Sequence, residues 1–526
     1  MIVIKTITSL LFLFFILSSS SDAANRIEIY PSNADGTCNE EFENVVNTLL
    51  PGDVLVLHGG IYTQTCRRLI TGRNGTADAP IIVEAAPGER PILTRPDNAA
   101  HSYPENNIEI ENSSYLIIRG LSFKGGDLGV RFMGAINHIT FEDNEVYETG
   151  ANALALNSGN SDSMVLRRNH IHHTGLDTSS PTTGEGMYLG CNDNTCRITN
   201  SLIEGNYIHH LRSTNSGGND GIEVKVGSYG NVIRDNVIHD TTIGTRYPCI
   251  FVYGGGDATV RNNIIFSSDV GISSYPHVQV SQMRNLTIVN NTIYDNGDCL
   301  YTRWSSVTSA VLANNAIYCP GTTAVDASGF SNIQVVIRNN YTEGNLAGAS
   351  IDNQKFFAGG TAATAFIDPE TANLWPQATS VLLGKGALAY SPAIDFNNTS
   401  RIDPIDVGAY ETNGLLTNPG WQIQQGFKGT AGSDSIAPTV SITNPANGSI
   451  VARKSTVSIT ASASDNIGVI RVEFYINGAL QCTDSQAPHG CSWKVPNGSM
   501  KNYRLDARAY DAANNVGTAT LTVKTR

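Results

Sequence analysis

Asp220-Gly-Ile-Glu-Val-Lys-Val-Gly-Ser-Tyr-Gly-Asn-Val-Ile-Arg-Asp-Asn236 is one unit of a repeating ladder, and the unit in which charge gathers. It reads as a short β-like run, a Gly-rich turn, and an Asn followed by an apolar pair. The same marker recurs as Asn169-His-Ile, Asn206-Tyr-Ile, Asn236-Val-Ile, Asn263-Ile-Ile, Asn291-Thr-Ile and Asn315-Ala-Ile. From Asn206 to Asn236, Asn263, Asn291 and Asn315 the intervals are 30, 27, 28 and 24 residues. A period in that range, built from short strands without a helical pattern, predicts a solenoid.

Working outward, the units from about 125 to 345 align into columns. One reads Gly129-Val-Arg-Phe, Ala153-Leu-Ala-Leu, Gly186-Met-Tyr-Leu, Gly221-Ile-Glu-Val-Lys, Cys249-Ile-Phe-Val-Tyr, Gly271-Ile-Ser-Ser-Tyr and Cys299-Leu-Tyr-Thr-Arg. Strand side chains alternate between faces, so Val130, Leu154, Met187, Ile222, Ile250, Ile272 and Leu300 are expected inside. Arg131, Tyr188, Glu223, Lys225, Phe251, Tyr253, Tyr275, Tyr301 and Arg303 then share one outer surface. A second column follows the Asn marker: Tyr147, His172, His209, His239, Phe266, Tyr294 and Tyr318. Stacked Asn side chains are expected to form amide ladders that satisfy buried turn groups. Three histidines in register on rungs ~4.8 Å apart raise a metal site, but no carboxylate falls in phase with all three, and a structural stack is the preferred reading.

The ends differ from the middle. Met1 to Ala23 has a lysine at position 5, an apolar run from Ile7 to Leu17 and small residues before the expected cleavage point, which reads as a secretory signal. Glu40 to Leu49 has helical spacing and is expected to cap the open end of the solenoid. The ladder, residues 24–411, fades near Asp403-Pro-Ile-Asp-Val-Gly-Ala-Tyr-Glu411, and residues 412–437 have the composition of a linker. From Pro438 to Arg526 well-alternating runs and the hairpin signal Asn477-Gly478 predict a small β-sandwich. The fold class is therefore all-β in two domains.

Composition narrows the function. The chain has 526 residues, 15 % charged, and a formal net charge of −13, which argues against general nucleic-acid binding. No later stretch is apolar enough to span a membrane, so an exported and monomeric protein, extracellular or attached at the cell surface, is expected. Nine cysteines in an exported chain can pair. Proximity suggests Cys38 with Cys66, Cys191 with Cys196, Cys299 with Cys319 and Cys482 with Cys491, leaving Cys249 odd, without fixing the connectivity.

The ladder resembles the right-handed parallel β-helix superfamily, the fold of pectate lyases and their relatives. The stretch Asp220 to Asn236 is similar to a rung of secreted polysaccharide lyases, closest in style to family nine and more distantly to family six. In those families a groove-facing lysine is the base and acidic residues hold calcium. That resemblance implies Lys225 as base, with Asp220, Glu223 and Glu185 as calcium ligands. The rung after it reads Ile250-Phe-Val-Tyr253 where family six carries Arg-His-Gly. The tail, with Pro438-Thr-Val-Ser-Ile-Thr-Asn-Pro-Ala-Asn-Gly448, is similar to bacterial immunoglobulin-like domains.

The chemistry this implies is β-elimination in an acidic, uronate-containing polysaccharide, with pectate the favoured substrate. A base removes the proton beside the carboxylate, and calcium or arginine neutralises that carboxylate. Arg246 and Arg303 are candidates for it. Tyr188, Phe251, Tyr253 and Tyr301 suit stacking on sugar rings, His209 and His239 are candidate helpers in binding or as acids, and Tyr253 is a candidate to protonate the leaving oxygen. A lysine, ordinarily near pKa 10.4, acts as a base only if its pKa is lowered. A uronate epimerase or a glycoside hydrolase on the same fold remains open, as does a non-catalytic glycan-binding surface protein.

Overall fold

The computed structural model describes residues 24–31, 40–63, 68–95, 106–177, 183–211, 218–241, 247–280, 283–304, 307–328, 334–347, 356–420, 423–428, 437–464, 469–484, 489–511 and 516–526. The expected signal stretch 1–23, Arg246, and the Cys38–Cys66 pairing lie outside them.

The repeat becomes a parallel β-helix of three faces. One face is a 12-stranded sheet from Arg26–Ile29 to Val335–Arg338 in which strand order follows the chain. The other two run through a 21-stranded sheet and join in the long strand Ala316–Ser328. One of these is the face of the Lys225 rung, the other the face that follows the Asn marker. Every strand–strand pairing among the described residues of the coil is parallel, and the registers fall where the sequence columns place them. Val130 pairs Leu154, Leu154 pairs Met187, Met187 pairs Ile222, Ile222 pairs Ile250, Ile250 pairs Ile272 and Ile272 pairs Leu300. All seven are fully buried in one continuous core.

Each rung turns at a residue in the left-handed region followed by the marker Asn. Asp143, Arg168, Gly205, Asp235, Asn262, Asn290, Asn314 and Asn339 have φ between 51° and 64°. Asn, Asp and Gly bear this conformation at low cost, which accounts for most of these positions. The next residue forms a ladder through the core edge. Nδ2 of Asn169, Asn206, Asn236, Asn263, Asn291 and Asn315 each donates to Oδ1 of the next marker, ending on Asn340, at 2.9–3.0 Å. The same oxygens accept the backbone N–H of the preceding marker. The ladder begins one rung before Asn169, because Asn144 takes part through its N–H to Asn169 Oδ1.

The lower end is closed by the helix Glu40–Val46, which places Phe42 and Val46 in the coil core. At the upper end the coil stops with Phe356–Ala358, and the chain beyond it is not coil. Residues 362–427 instead cover the upper part of the face that carries the Asn-marker column. Phe366, Trp375, Phe396, Tyr410 and Phe427 pack there against Val237, Ile264, Ala316 and Tyr318. Two expectations are amended. The solenoid ends some fifty residues before 411 (411 − 358 = 53), and part of the expected linker is buried, with Phe427 stacked on Phe396. An apolar residue every few positions sufficed for a covering layer although the stretch has linker composition.

The last domain has a three-stranded sheet, Thr439–Asn444, Thr456–Ser464 and His489–Lys494, and a five-stranded sheet centred on Asn502–Asp511. Between them Ile459, Phe474, Trp493, Leu505 and Val523 form a separate core, and Cys482–Cys491 joins the two sheets. Asn477 and Gly478, both at positive φ, make the predicted two-residue hairpin turn. Cys191–Cys196 and Cys299–Cys319 are also bonded, and Cys249 is a buried free thiol pushed up to about 12 by burial. Disulfides fit an oxidising, extracellular setting. Among the described residues no helix is long and apolar enough to cross a membrane.

Replacing Asn236 by Ala removes the bonds its fully buried amide accepts from the N–H and Nδ2 of Asn206 and those it donates to the Ile203 carbonyl and Asn263 Oδ1, and it leaves the Asn206 N–H without that partner while Asn206 Nδ2 keeps its bond to the Leu166 carbonyl. A loss of about 3 kcal/mol is expected for breaking this buried junction, measured by urea unfolding; a loss under about 1 kcal/mol would show the ladder to be dispensable.

Candidate functional site

The Lys225 rung sits between two neighbours that shape it. Below it is strand Met187–Leu189, above it Pro248–Tyr253, with Tyr188, Glu223 and Phe251 in one outward row. Lys225 comes directly after the strand Ile222–Val224 and is tied by its N–H to the carbonyl of Leu189 at 2.8 Å. At Gly190, one rung below, φ is +105° and a Cβ would lie 3.0 Å from Lys225 Cβ, so glycine opens the space that the lysine fills.

Two of the carboxylates come from a stacked corner. Asn152, Glu185 and Asp220 occupy equivalent positions before successive strands, linked by the N–H of Ala153 to the carbonyl of Glu185 and of Gly186 to the carbonyl of Asp220. Oxygens of Glu185, Asp220 and Glu223 lie within 4.8 Å of one another, and all three residues are buried. Gly218 leaves room for this, since a Cβ there would collide with the Glu185 carboxylate. Lys225 Nζ pairs with Glu223 Oε1 and lies 4.0 Å over the centre of the Tyr188 ring. The Asn152 amide, oriented to donate, reaches Glu185 Oε2 at 2.6 Å.

The electrostatics of this group are severe. Three carboxylates against one ammonium would leave two uncompensated negative charges in a buried space, which is costly. Burial and then the Glu223 carboxylate push Glu185 up to about 7. Burial, then Glu223 and Glu185, raise Asp220 well above the usual carboxylate range. Burial pulls the Lys225 ammonium down, but Glu223 and Tyr188 outweigh it and hold the amine above its ordinary value. The depressed lysine that general-base chemistry requires is therefore not supplied by the protein groups alone. Asp220 Oδ1, Glu223 Oε2 and both amide atoms of Asn219 are buried without a hydrogen-bond partner among the described residues. Two orphaned carboxylate oxygens and an orphaned amide oxygen, beside a third buried carboxyl group, are the donor chemistry of a hard divalent cation such as calcium.

The other candidate residues divide. Phe251 and Tyr253 stack at 4.8 Å, Tyr253 meets Tyr275 at 5.1 Å, and Tyr275 meets Tyr301 at 6.1 Å. Together they make an aromatic strip leading away from Lys225. Arg303 lies at the far end of that strip, where its fork grips Asp326 at 2.9 and 3.0 Å and its plane covers the Tyr301 ring. It is thus held by Asp326, three rungs or about 14 Å along the coil from Glu223, and is not beside the lysine. Tyr247, which the sequence columns overlook because it precedes the strand, is close enough to feel Asp220, Glu185, Glu223 and Lys225.

His209 and His239 are on the other face. They stack on each other at 5.1 Å, and His239 bonds Tyr207 Oη at 2.9 Å and Asp240 at 2.7 Å. The register from Tyr147 through His172, His209, His239, Phe266 and Tyr294 to Tyr318 is as expected from sequence, but it separates these histidines from the lysine instead of bringing them to it. Outward side chains from different faces of a coil point apart. Glu145 and His170, absent from the sequence-based candidates, join this group; the signal was the alternation His170-Ile-His172, which puts both rings on one side.

Residues 58–220 and 244–361 match the family described as right handed beta helix region, more than half of the chain, and the protein belongs to that family. Residues 438–523 match the bacterial Ig domain family. No curated protein sequence matches the chain. Among solved structures it is similar to XylC in complex with xylose, with 10 % identity, a TM-score of 0.41, and 75 % of this chain and 99 % of that one covered. A PL6 family alginate lyase has 13 % identity and a TM-score of 0.32, covering 81 % of this chain and 61 % of that one. The mannuronan C-5 epimerase A-module of Azotobacter vinelandii has 13 % identity and a TM-score of 0.38, covering 63 % and 100 %. Likenesses at this level say nothing about what this chain acts on.

With chelator present, native Glu185 keeps its proton up to about pH 7 while the unfolded chain loses it near 4.5, so the native state binds more protons and stability falls across that window. The melting temperature of Glu185→Gln relative to the native chain is expected to rise from pH 4.5 to above 7. A difference flat across that range would show that Glu185 titrates alike folded and unfolded.

Proposed function

We propose that the protein is a secreted polysaccharide lyase that cleaves an acidic, uronate-containing polysaccharide by β-elimination at the Lys225 rung. The observation that carries this is the buried excess of carboxylate around one lysine, with two oxygens left unpaired beside it. Asp220, Glu223 and Glu185 are the residues that would hold calcium. Calcium bound there would neutralise the substrate carboxylate, stabilise the carbanion charge, and compete with Lys225 for Glu223, lowering the lysine pKa.

The chain's own groups then have defined tasks. Lys225, unpaired from Glu223, takes the proton from the carbon beside the uronate carboxylate; that electron pair forms the new double bond, and the glycosidic oxygen departs. Tyr188 holds the amine in place from below through its ring face. Tyr253, kept protonated by burial, is the donor proposed for the departing oxygen. Phe251, Tyr275 and Tyr301 line the strip along which successive sugars would lie. Pectate is the first substrate to try, on the resemblance of the Lys225 rung to family nine.

The test is incubation with pectate, alginate and dermatan sulfate, monitoring the ultraviolet absorbance of the unsaturated uronate product. Lys225→Arg keeps the ion pair and the fold but cannot release its proton, and a fall of about 10²–10⁴ in rate is expected. Chelator is expected to abolish activity and calcium to restore it. Lys225→Arg at native rate would remove the lysine base; new reducing ends without absorbance would mean hydrolysis, and no product from any polymer would favour a binding protein.

A further inference from the structure

The face that carries His209 holds a second constellation, independent of the lyase reading. Glu145 and His170 are paired in register on adjacent rungs, and His172, two residues along the same strand, points the same way. Their ligand atoms lie within 4.8 Å of one another. His170 Nδ1 is 3.2 Å and His172 Nε2 3.4 Å from the same oxygen, Glu145 Oε1. Around a tetrahedral zinc with bonds of about 2.0–2.1 Å, neighbouring ligand atoms stand about 3.3 Å apart. The two separations bracket that value.

The far atom of each group is also held. Glu145 Oε2 accepts from Ser122 Oγ at 3.0 Å and from Arg90 at 3.1 Å. His170 Nε2 faces His209 Nε2 at 2.8 Å, and His172 Nδ1 faces His173 Nδ1 at 2.7 Å. Metal-binding histidines are commonly oriented by such a partner on the other nitrogen. The chain of contacts runs on from His209 Nδ1 to His210 Nδ1 at 2.6 Å. If the protons sit on the far nitrogens, His170 donates to His209, His209 donates to His210, and His172 donates to His173. Lone pairs of His170 and His172 are then turned toward Glu145: the histidine–histidine hydrogen bonds are kept, and the two contacts to Glu145 Oε1 are given up in exchange for bonds to a cation.

The constellation is also reachable. A cavity of about 420 Å³ is lined by Arg90, Ser122, Glu145, Arg168, His170 and Gln425. Two imidazoles and one carboxylate, of which His170 and Glu145 border the cavity, match a divalent transition cation, and nitrogen donors disfavour calcium. Higher on the same face the equivalent row becomes Val237, Ile264 and Ala316 beneath the covering layer, so the polar group is confined to the rungs that layer leaves to the cavity.

We infer that Glu145, His170 and His172 form a binding site for a divalent transition cation of the zinc class, separate from the carboxylates around Lys225. The test uses the untagged full chain, stripped with chelator and titrated calorimetrically with zinc chloride, and separately with cobalt chloride while recording visible absorbance. One zinc equivalent is expected that is lost in His172→Asn and in Glu145→Gln, weakened about tenfold in Ser122→Ala, and unchanged in Glu223→Gln. Cobalt is expected to give the intense bands of a four-coordinate, nitrogen-ligated ion. If the histidine variant does not fold, the cobalt spectrum of the native chain decides. Absence of a zinc equivalent, retention of it in folded His172→Asn, or a pale six-coordinate cobalt spectrum would each overturn the site.

Discussion

A column of buried asparagine amides, each hydrogen-bonded to the one on the next rung, is the constraint on which the coil depends. The sharp bend before each Asn leaves backbone groups that no strand can satisfy, and water has no access to them. The amide answers both needs: its nitrogen donates to a carbonyl of the preceding rung, as Asn236 does to Ile203, and to the next amide. Because every member bonds to its neighbours above and below, a rung cannot slip by one residue without breaking bonds on two sides. Register is thereby fixed from the Asn144 rung to the Asn340 rung, and with it the vertical alignment of the other columns there.

Fixed register has an electrostatic cost that the protein places in one spot. Stacking aligns like with like, harmless for isoleucine and costly for carboxylates. Glu185 and Asp220 are held one above the other at a corner, and Glu223 turns toward them from the adjoining strand. The single ammonium of Lys225 cannot balance them, so two acids are pushed toward the protonated form. Buried charge of one sign is poor engineering for stability.

The face with the Asn-marker column shows how one surface is divided along its length. Its upper rungs carry Val237, Ile264, Phe266 and Tyr318 and are covered by residues 362–427. Its lower rungs carry Glu145, His170, His172 and His209, and Glu145 and His170 border a cavity. The change occurs near Tyr207, which touches both Phe427 and the histidines. A covering layer needs apolar partners, so the polar rings are left where the layer thins.

Much of the fold could be read from one chain because its information is periodic. The Asn markers and the alternation around Ile222 and Ile250 determine rung length, the inward column and the outward row, since side-chain direction in a strand depends only on parity. Helical spacing gave the cap at Phe42 and Val46, and Asn477-Gly478 gave the hairpin of the last domain. Lys225, Glu223 and their aromatic neighbours were found by the same parity. Parity cannot say how far apart two faces diverge, so His209 and His239 looked like partners of the lysine and are not. Nor does it tell what a side chain will grip at its tip: Arg303 is taken by Asp326, and Glu145 finds His170 and His172 through contacts between rungs that a column drawn one residue away passes over. The burial of Phe427 and the direction of the Lys225 pKa likewise depend on what else occupies the same volume. The sequence determines which residues share a line; only the packed coil decides which lines meet, because that is set by the corners and by the solvent they exclude.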